Sequence, residues 1–262
     1  MKHMPRITLS NGRSLGYVEA GGGHLTPIVF LHGVGSDKSV WHPQLEHFGR
    51  TRRAIAFDYP GYGDSDPARE GTTRDDYAEA IHSAMHALAI ERAHVCGLSL
   101  GGVVAIALCD AVPNHCASLI LADTFAVHPE GRAIYERNLA GTRDVPAMAR
   151  ARVDVLLAQP ADPAVRREVV ETMSRIDPAT YRIGAEAVWL ADQRDRAGEI
   201  RAPTLVLVGD KDLVTPVDLS SELVDLIPDA RMQVIRGAGH LGNLEKPAEF
   251  NAVVDEFLQP LG

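Results

Sequence analysis

The sequence predicts an α/β architecture, a doubly wound and mostly parallel sheet with a helical cap inserted into it. Three observations predict it. Six short apolar runs recur along the 262 residues, amphipathic helical patterns separate them, and one long stretch between the fourth and fifth runs carries no strand signal. Strands that alternate with helices pair in parallel through right-handed crossovers. Helices then cover both faces of the sheet, so its strands read as continuous apolar runs.

Residues 6 to 20 read as two short strands around Asn11-Gly12, a dipeptide whose tolerance of positive φ suits a two-residue hairpin. This predicts an antiparallel edge. After Gly21-Gly22-Gly23 the buried-strand runs are Pro27–Leu31, Ala54–Phe57, Ala93–Cys96, Ala117–Ala122, Thr204–Val208 and Met232–Ile235. Between the second and third, Tyr77, Ile81, Met85 and Leu88 share one helical face. Thr72 and Thr73 stand three residues ahead of Asp75 and Asp76, the spacing of a capping box. Pro216, a favoured first helical residue, leads a helix through Leu219, Leu223 and Ile227, and a last helix from Pro247 buries Phe250, Val253, Val254 and Phe257. From Ala126 to Gly198 only helix formers appear, punctuated by Pro146, Pro160, Pro163 and Pro178, over a length too great for a loop. Residues 126–198 are therefore expected to form a helical cap, hinged near Ala126 and Gly198, on a core domain of 1–125 and 199–262. Ligands of open α/β sheets bind beyond the carboxyl ends of the strands, where such a cap would roof them.

A composition of 45% hydrophobic and 23% charged residues excludes a disordered chain. The net charge of −9 provides no basic field for a phosphate backbone, so no nucleic-acid partner is expected. No apolar run is long enough to span a bilayer and the start of the chain has no secretory apolar stretch. Cys96, Cys109 and Cys116 sit in or near apolar runs and not at metal-ligand spacings, which predicts reduced thiols in a cytoplasmic protein without a metal. No membrane partner is expected, and a homodimer is left open.

The third apolar run leads directly into Gly97-Leu98-Ser99-Leu100-Gly101-Gly102, where a helix begins. This is the pattern of a nucleophile elbow: a sharp strand-to-helix turn exposes the serine hydroxyl, and glycines on either side remove side chains that would clash. A serine needs a base, and the base an orienting carboxylate. His240, in the loop after the sixth run, is the candidate base. Beyond the fifth run Asp210 and Asp212 are candidate acids, with Asp212 preferred because Asp210 leaves the strand directly. Asp123, at the end of the strand before the cap, is a lesser alternative. The chain order Ser99, Asp212, His240 is the one in which such a fold presents its triad. The loop His32-Gly33-Val34-Gly35 offers a second backbone donor, so the oxyanion amides are assigned to Val34 and Leu100. His32 reads as a structural hydrogen-bonding residue. Phe125, Trp189 and Leu241 are the expected pocket wall, because they flank the cap hinge or the base.

The run His32-Gly33, the segment Asp58-Tyr-Pro-Gly-Tyr-Gly-Asp-Ser65, Gly97 to Gly102, Asp212 and His240 together resemble the α/β-hydrolase superfamily along the whole chain outside the cap. Within it, Cys96 to Gly102, Ala202-Pro-Thr-Leu-Val206 and Gly239-His-Leu-Gly-Asn-Leu-Glu245 with Phe250-Asn251 resemble the 3-oxoadipate enol-lactonases, although His32-Gly33 stands where those carry Ser-Asn. The resemblance implies a cofactor-free serine hydrolase of a small ester or lactone, with Ser99 as nucleophile, Asp212 as acid, His240 as base and Val34 and Leu100 as oxyanion donors. Carbon–carbon hydrolysis of ring-fission products and perhydrolysis use the same residues, and a ligand-binding receptor retaining the triad is the alternative of another class. Arg132, Arg137, Arg143, Arg150 and Arg152 make the cap arginine-rich, and one of them could meet a substrate carboxylate.

Overall fold

The structure, a computed structural model, describes residues 5–262. Its strands are β1 (Arg6–Thr8), β2 (Ser14–Ala20), β3 (Leu25–Leu31), β4 (Arg52–Phe57), β5 (Ala93–Leu98), β6 (Cys116–Ala122), β7 (Thr204–Gly209) and β8 (Ala230–Ile235). They form one sheet in the order β1-β2-β4-β3-β5-β6-β7-β8. Strands β3 to β8 are mutually parallel, and β2 runs antiparallel to both β4 and β1. The expected doubly wound, mostly parallel sheet is present. Every residue of β5, β6 and β7 is buried, as helices on both faces require, whereas β8 alternates between exposed and covered because it is an outer strand.

The helices are α1 (His42–Phe48), α2 (Arg74–Ala87), α3 (Leu100–Ala111), α4 (Gly131–Gly141), α5 (Val145–Leu156), α6 (Pro163–Ser174), α7 (Pro178–Trp189), α8 (Arg194–Glu199), α9 (Val217–Leu226), α10 (Gly242–Glu245) and α11 (Pro247–Leu258). Helix α2 opens with the expected capping box: Thr73 Oγ1 accepts the Asp76 N–H (3.3 Å) and Asp76 Oδ2 accepts the Thr73 N–H (2.7 Å). The amino-terminal hairpin differs from expectation. Its strands pair up to Thr8 and Ser14, leaving a five-residue loop, 9–13, instead of a two-residue turn, because Leu9 folds inward and is buried while Gly12 alone takes positive φ.

Helices α4 to α8 all lie between β6 and β7. The two ends of this insertion meet through a bridge between Val127 and Asp192 and a hydrogen bond from the Gln193 N–H to the Ala126 carbonyl (2.8 Å). That neck closes ahead of the expected hinge at Gly198, and α8 already packs against α3. In the segments that follow β3 and β4, the buried Lys38 and Asp58 pair with each other and with the half-exposed Asp64. Lys38 Nζ lies 2.5 Å from both Asp58 Oδ2 and Asp64 Oδ2, and Asp58 also accepts the backbone N–H groups of Lys38 and Asp64. Gly63 is required here, since a Cβ would overlap the Asp58 carboxylate.

Candidate active site

The carboxyl ends of β3, β5, β6, β7 and β8 point to one place, and the sequence supplies a polar residue at most of them. Ser99 lies between the last residue of β5 and the first of α3, with φ 55° and ψ −115°. Few L-residues adopt such angles. The turn is possible because backbone segments nearly touch: a Cβ on Gly97 would overlap the Gly101 carbonyl, one on Gly101 would overlap the Leu31 carbonyl, and one on Gly102 would strike Thr124. The peptide is pinned by Ser99 N–H to Ala122 O (3.0 Å) and Thr124 Oγ1–H to Ser99 O (2.8 Å).

The loop after β3 passes against this serine. A Cβ on Gly33 would stand 3.4 Å from Ser99 Cβ and 3.9 Å from its Oγ. Val34 follows on the wall of the same cleft, its carbonyl accepting the Tyr62 hydroxyl (3.3 Å). Leu100 opens α3, a helix of twelve residues, so its amide is among the N–H groups that a helix start leaves without intrahelical partners. His32 is fully buried between Tyr59 and Tyr62 and donates from Nδ1 to the Gly33 carbonyl (2.9 Å). Burial lowers its pKa, which keeps the ring neutral.

His240 and Asp212 come together at 2.8 Å, Nδ1 to Oδ2. The carboxylate is held on all sides: Oδ1 accepts the N–H groups of Val214 (2.7 Å) and Thr215 (3.0 Å), and Oδ2 also accepts the Thr215 hydroxyl (2.5 Å). Burial by itself would raise this carboxyl, but His240 and the Thr215 donors outweigh it and bring the pKa down to about 2. Asp210, the rejected alternative, instead accepts the Gly237 N–H (2.6 Å) and caps a turn. Asp123 lies behind the pair, fully buried at φ 46°, with Oδ1 accepting the Gly209 N–H (2.9 Å). Burial, with the Asp212 charge beside it, pushes the Asp123 carboxyl well above the usual carboxylate range.

Ser99 and His240 both line one narrow cleft, roofed by residues of α5, α6 and α7. Trp189 and Leu241 are on its wall. Phe125 is not: it is fully buried and stacked behind Trp189, centroids 5.7 Å apart. An aromatic at the base of the insertion is drawn into the core by the area it can bury, and the next layer faces the cleft. Among the described residues no group of three His, Cys, Asp or Glu gathers where a metal ion could be held, and no helix is long and apolar enough to cross a membrane.

The profile of the alpha/beta hydrolase fold matches residues 26–247. The chain belongs to the α/β-hydrolase family. It is 31% identical, over 97% of its length, to the dihydrolipoyllysine-residue acetyltransferase component of the acetoin cleaving system of Pseudomonas putida, 69% of which is covered. It is 27% identical to 3-oxoadipate enol-lactonase 1 of Acinetobacter baylyi, over 99% of this chain and 98% of that one. Among solved structures, the enol-lactonase from Burkholderia xenovorans LB400 superposes with a TM-score of 0.91 at 27% identity, covering 97% of this chain and 100% of that one.

Two residues of this candidate site escaped the reading of the sequence. Thr215 has only its place in the loop after β7 as a signal. Glu245 stands in the tail motif, but its work is long-range: Oε2 accepts the N–H of Ala158, two residues past the end of α5 (2.7 Å), and Oε1 that of Gly239 (2.9 Å). Beside it the His240 N–H donates to the carbonyl of Leu156, the last residue of α5 (2.8 Å). The histidine loop is thus tied to the insertion by one backbone bond and by the Glu245 carboxylate that bridges Gly239 and Ala158.

Proposed function

We propose that the protein is a serine hydrolase that cleaves a small carboxylic ester or lactone through an acyl-enzyme on Ser99, with an enol-lactone of the 3-oxoadipate type as the first substrate to try. The observation that carries this reading is a serine on a strained strand-to-helix turn and a carboxylate-paired histidine lining one largely apolar cleft. Asp212, ionised over the working range, receives the Nδ1–H of His240, so Nε2 presents its lone pair as the base. His240 takes the Ser99 proton as Oγ attacks the carbonyl carbon, and the oxyanion is met by the amides of Val34 and Leu100 at the positive end of α3. Collapse breaks the bond to the leaving oxygen, which takes the proton from His240. Water, deprotonated by the same histidine, then attacks the acyl-enzyme and releases the acid and Ser99. For an enol-lactone the leaving oxygen is an enol, so ring opening is driven further by its tautomerisation to the ketone.

The test compares initial rates of 3-oxoadipate enol-lactone opening and of 4-nitrophenyl butyrate hydrolysis by the wild type and by Ser99→Ala. Serine-dependent turnover reduced by about 10⁴-fold or more in the variant is the expected result. An alanine variant that turns over at the wild-type rate would overturn the proposal.

A further inference from the structure

We propose that Tyr62 is a positioning residue for the oxyanion hole: its hydroxyl, seated against Gly184 of the insertion, holds the backbone beside Val34 and so aims the Val34 amide into the cleft. The inference rests on the hydrolase reading and adds to it a route by which the insertion sets an oxyanion donor. Val34 belongs to two peptide planes, and the direction of its amide is fixed only when both are. The first plane carries the Gly33 carbonyl and the Val34 N–H on opposite sides. That carbonyl accepts from His32 Nδ1 (2.9 Å) and from the Ser36 N–H (3.2 Å), both local to the loop. The second plane carries the Val34 carbonyl, which is held from outside the loop by Tyr62 Oη (3.3 Å), 28 residues along the chain.

Tyr62 reaches that carbonyl because α7 leaves it room. A Cβ on Gly184 would stand 2.0 Å from Tyr62 Oη and 3.1 Å from Val34 Cγ2, so any other residue there would displace the hydroxyl from its acceptor or push the loop itself. Glycine is disfavoured inside a helix, and this close approach accounts for it. One turn earlier in α7, Thr180 Oγ1 donates to the Gly61 carbonyl (3.2 Å), which docks the same helix on the residue before Tyr62. The ring is fixed as well. It is buried, edge-on to His32 with centroids 4.9 Å apart and to Tyr59 at 6.0 Å. Burial pushes the Tyr62 phenol well above its ordinary value, so the hydroxyl keeps the proton it donates. Gly35, the next residue of the loop, lies against α6, where a Cβ would stand 3.4 Å from Met173 Sδ. Two helices of the insertion therefore bear on the loop, α7 through Tyr62 and α6 through Met173. An amide restrained in this way cannot turn aside as charge develops on the substrate oxygen, which is the preorganisation that oxyanion stabilisation requires.

The experiment measures hydrolysis of 4-nitrophenyl butyrate and inhibition by an alkyl trifluoromethyl ketone, which Ser99 would hold as a tetrahedral adduct, in the wild type, Tyr62→Phe, Gly184→Ala and the double variant. In Tyr62→Phe kcat should fall about tenfold with KM within about twofold, because a donor misaimed but not removed forfeits part of the roughly 10²- to 10³-fold that a lost donor costs. The ketone should bind more weakly by about the same factor. Gly184→Ala should lower both kcat and Tm. The double variant should be no slower and no less stable than Tyr62→Phe, since the alanine methyl then meets only the ring, 3.2 Å from Cζ, where the hydroxyl had been. A purely structural role for Tyr62 would lower Tm and leave both the kcat of the folded enzyme and the ketone affinity at their wild-type values, which overturns the inference. Backbone amide hydrogen exchange keeps the two proposals apart, because it needs no reaction. Residues 33–36 should exchange faster in Tyr62→Phe while β3 and α3 keep their rates. A wild type that cleaves no ester defeats the hydrolase reading alone; the clamp on the loop is then supported by faster exchange confined to residues 33–36 and overturned by an unchanged pattern.

Discussion

Ser99 stores strain in its backbone, because φ 55° with ψ −115° is a conformation that only glycine adopts freely. Removing the hydroxyl alone leaves that strain in place. Ser99→Gly should therefore be more stable than Ser99→Ala by about 1 kcal/mol, measured by denaturant unfolding, and equal midpoints would show that the turn is unstrained. Asp123 makes the opposite kind of statement about charge. Its folded pKa is raised by burial, so its contribution to stability is complete below the unfolded pKa and is lost as pH rises through the folded one. Asparagine keeps the acceptor for the Gly209 N–H and has no proton to lose. The melting temperature of Asp123→Asn should accordingly gain on the wild type as pH is raised from 4 to 8; parallel curves would mean that Asp123 is ionised throughout.

At the scale of elements, the contact that matters most for the site is the one between α5 and the loop after β8. Glu245 accepts the N–H of Ala158, two residues past α5, and that of Gly239 in the loop, and the Leu156 carbonyl at the end of α5 accepts that of His240. Replacing Glu245 by Ala leaves two N–H groups without their acceptor, a loss of about 2 to 3 kcal/mol, and loosens the loop that carries the base. Both Tm and kcat should fall, with Glu245→Gln, which keeps one acceptor oxygen, falling less. A glutamine variant as damaged as alanine would show that the charge and not the bonding is what the loop needs. Little of this could be read from the chain. Glu245 stands in a recognisable motif, but its partner Ala158 belongs to the connection between α5 and α6, whose docking no local pattern encodes. The hairpin loop failed for a related reason: Asn11-Gly12 supports a tight turn locally, and the burial of Leu9 in the core overrides it.

Across the whole molecule, the acid limit of stability is set by groups far from the cleft as well as by those in it. His94 is fully buried on β5 with Nδ1 2.8 Å from the Ser118 hydroxyl, and burial lowers its pKa to about 4. Below pH 6.5 the unfolded chain binds a proton there that the folded chain refuses, so the stability is present above that pH and is lost as pH falls towards 4. The loss amounts to about 3 kcal/mol. Unfolding free energy should drop across this window, and His94→Gln should flatten the drop; an unchanged slope would remove His94 as its source. Asp212, held at about 2, stays ionised over the same range, so the His240 pair is not what fails first.

What the sequence by itself determined is whatever depends on neighbours along the chain: the six parallel strands, the capped start of α2, the glycines that let β5 turn sharply at Ser99, and the order in which Ser99, Asp212 and His240 appear. Period and steric clearance are local properties, and they survive in any context that folds at all. Only the tertiary structure decided which side chains face the cleft. It put Trp189 on the wall and Phe125 behind it, gave Asp212 and not Asp210 to His240, and set Gly184 of α7 against the Tyr62 hydroxyl. Those outcomes come from helices brought together across long stretches of chain, where burial area and clearance are settled by packing and not by spacing.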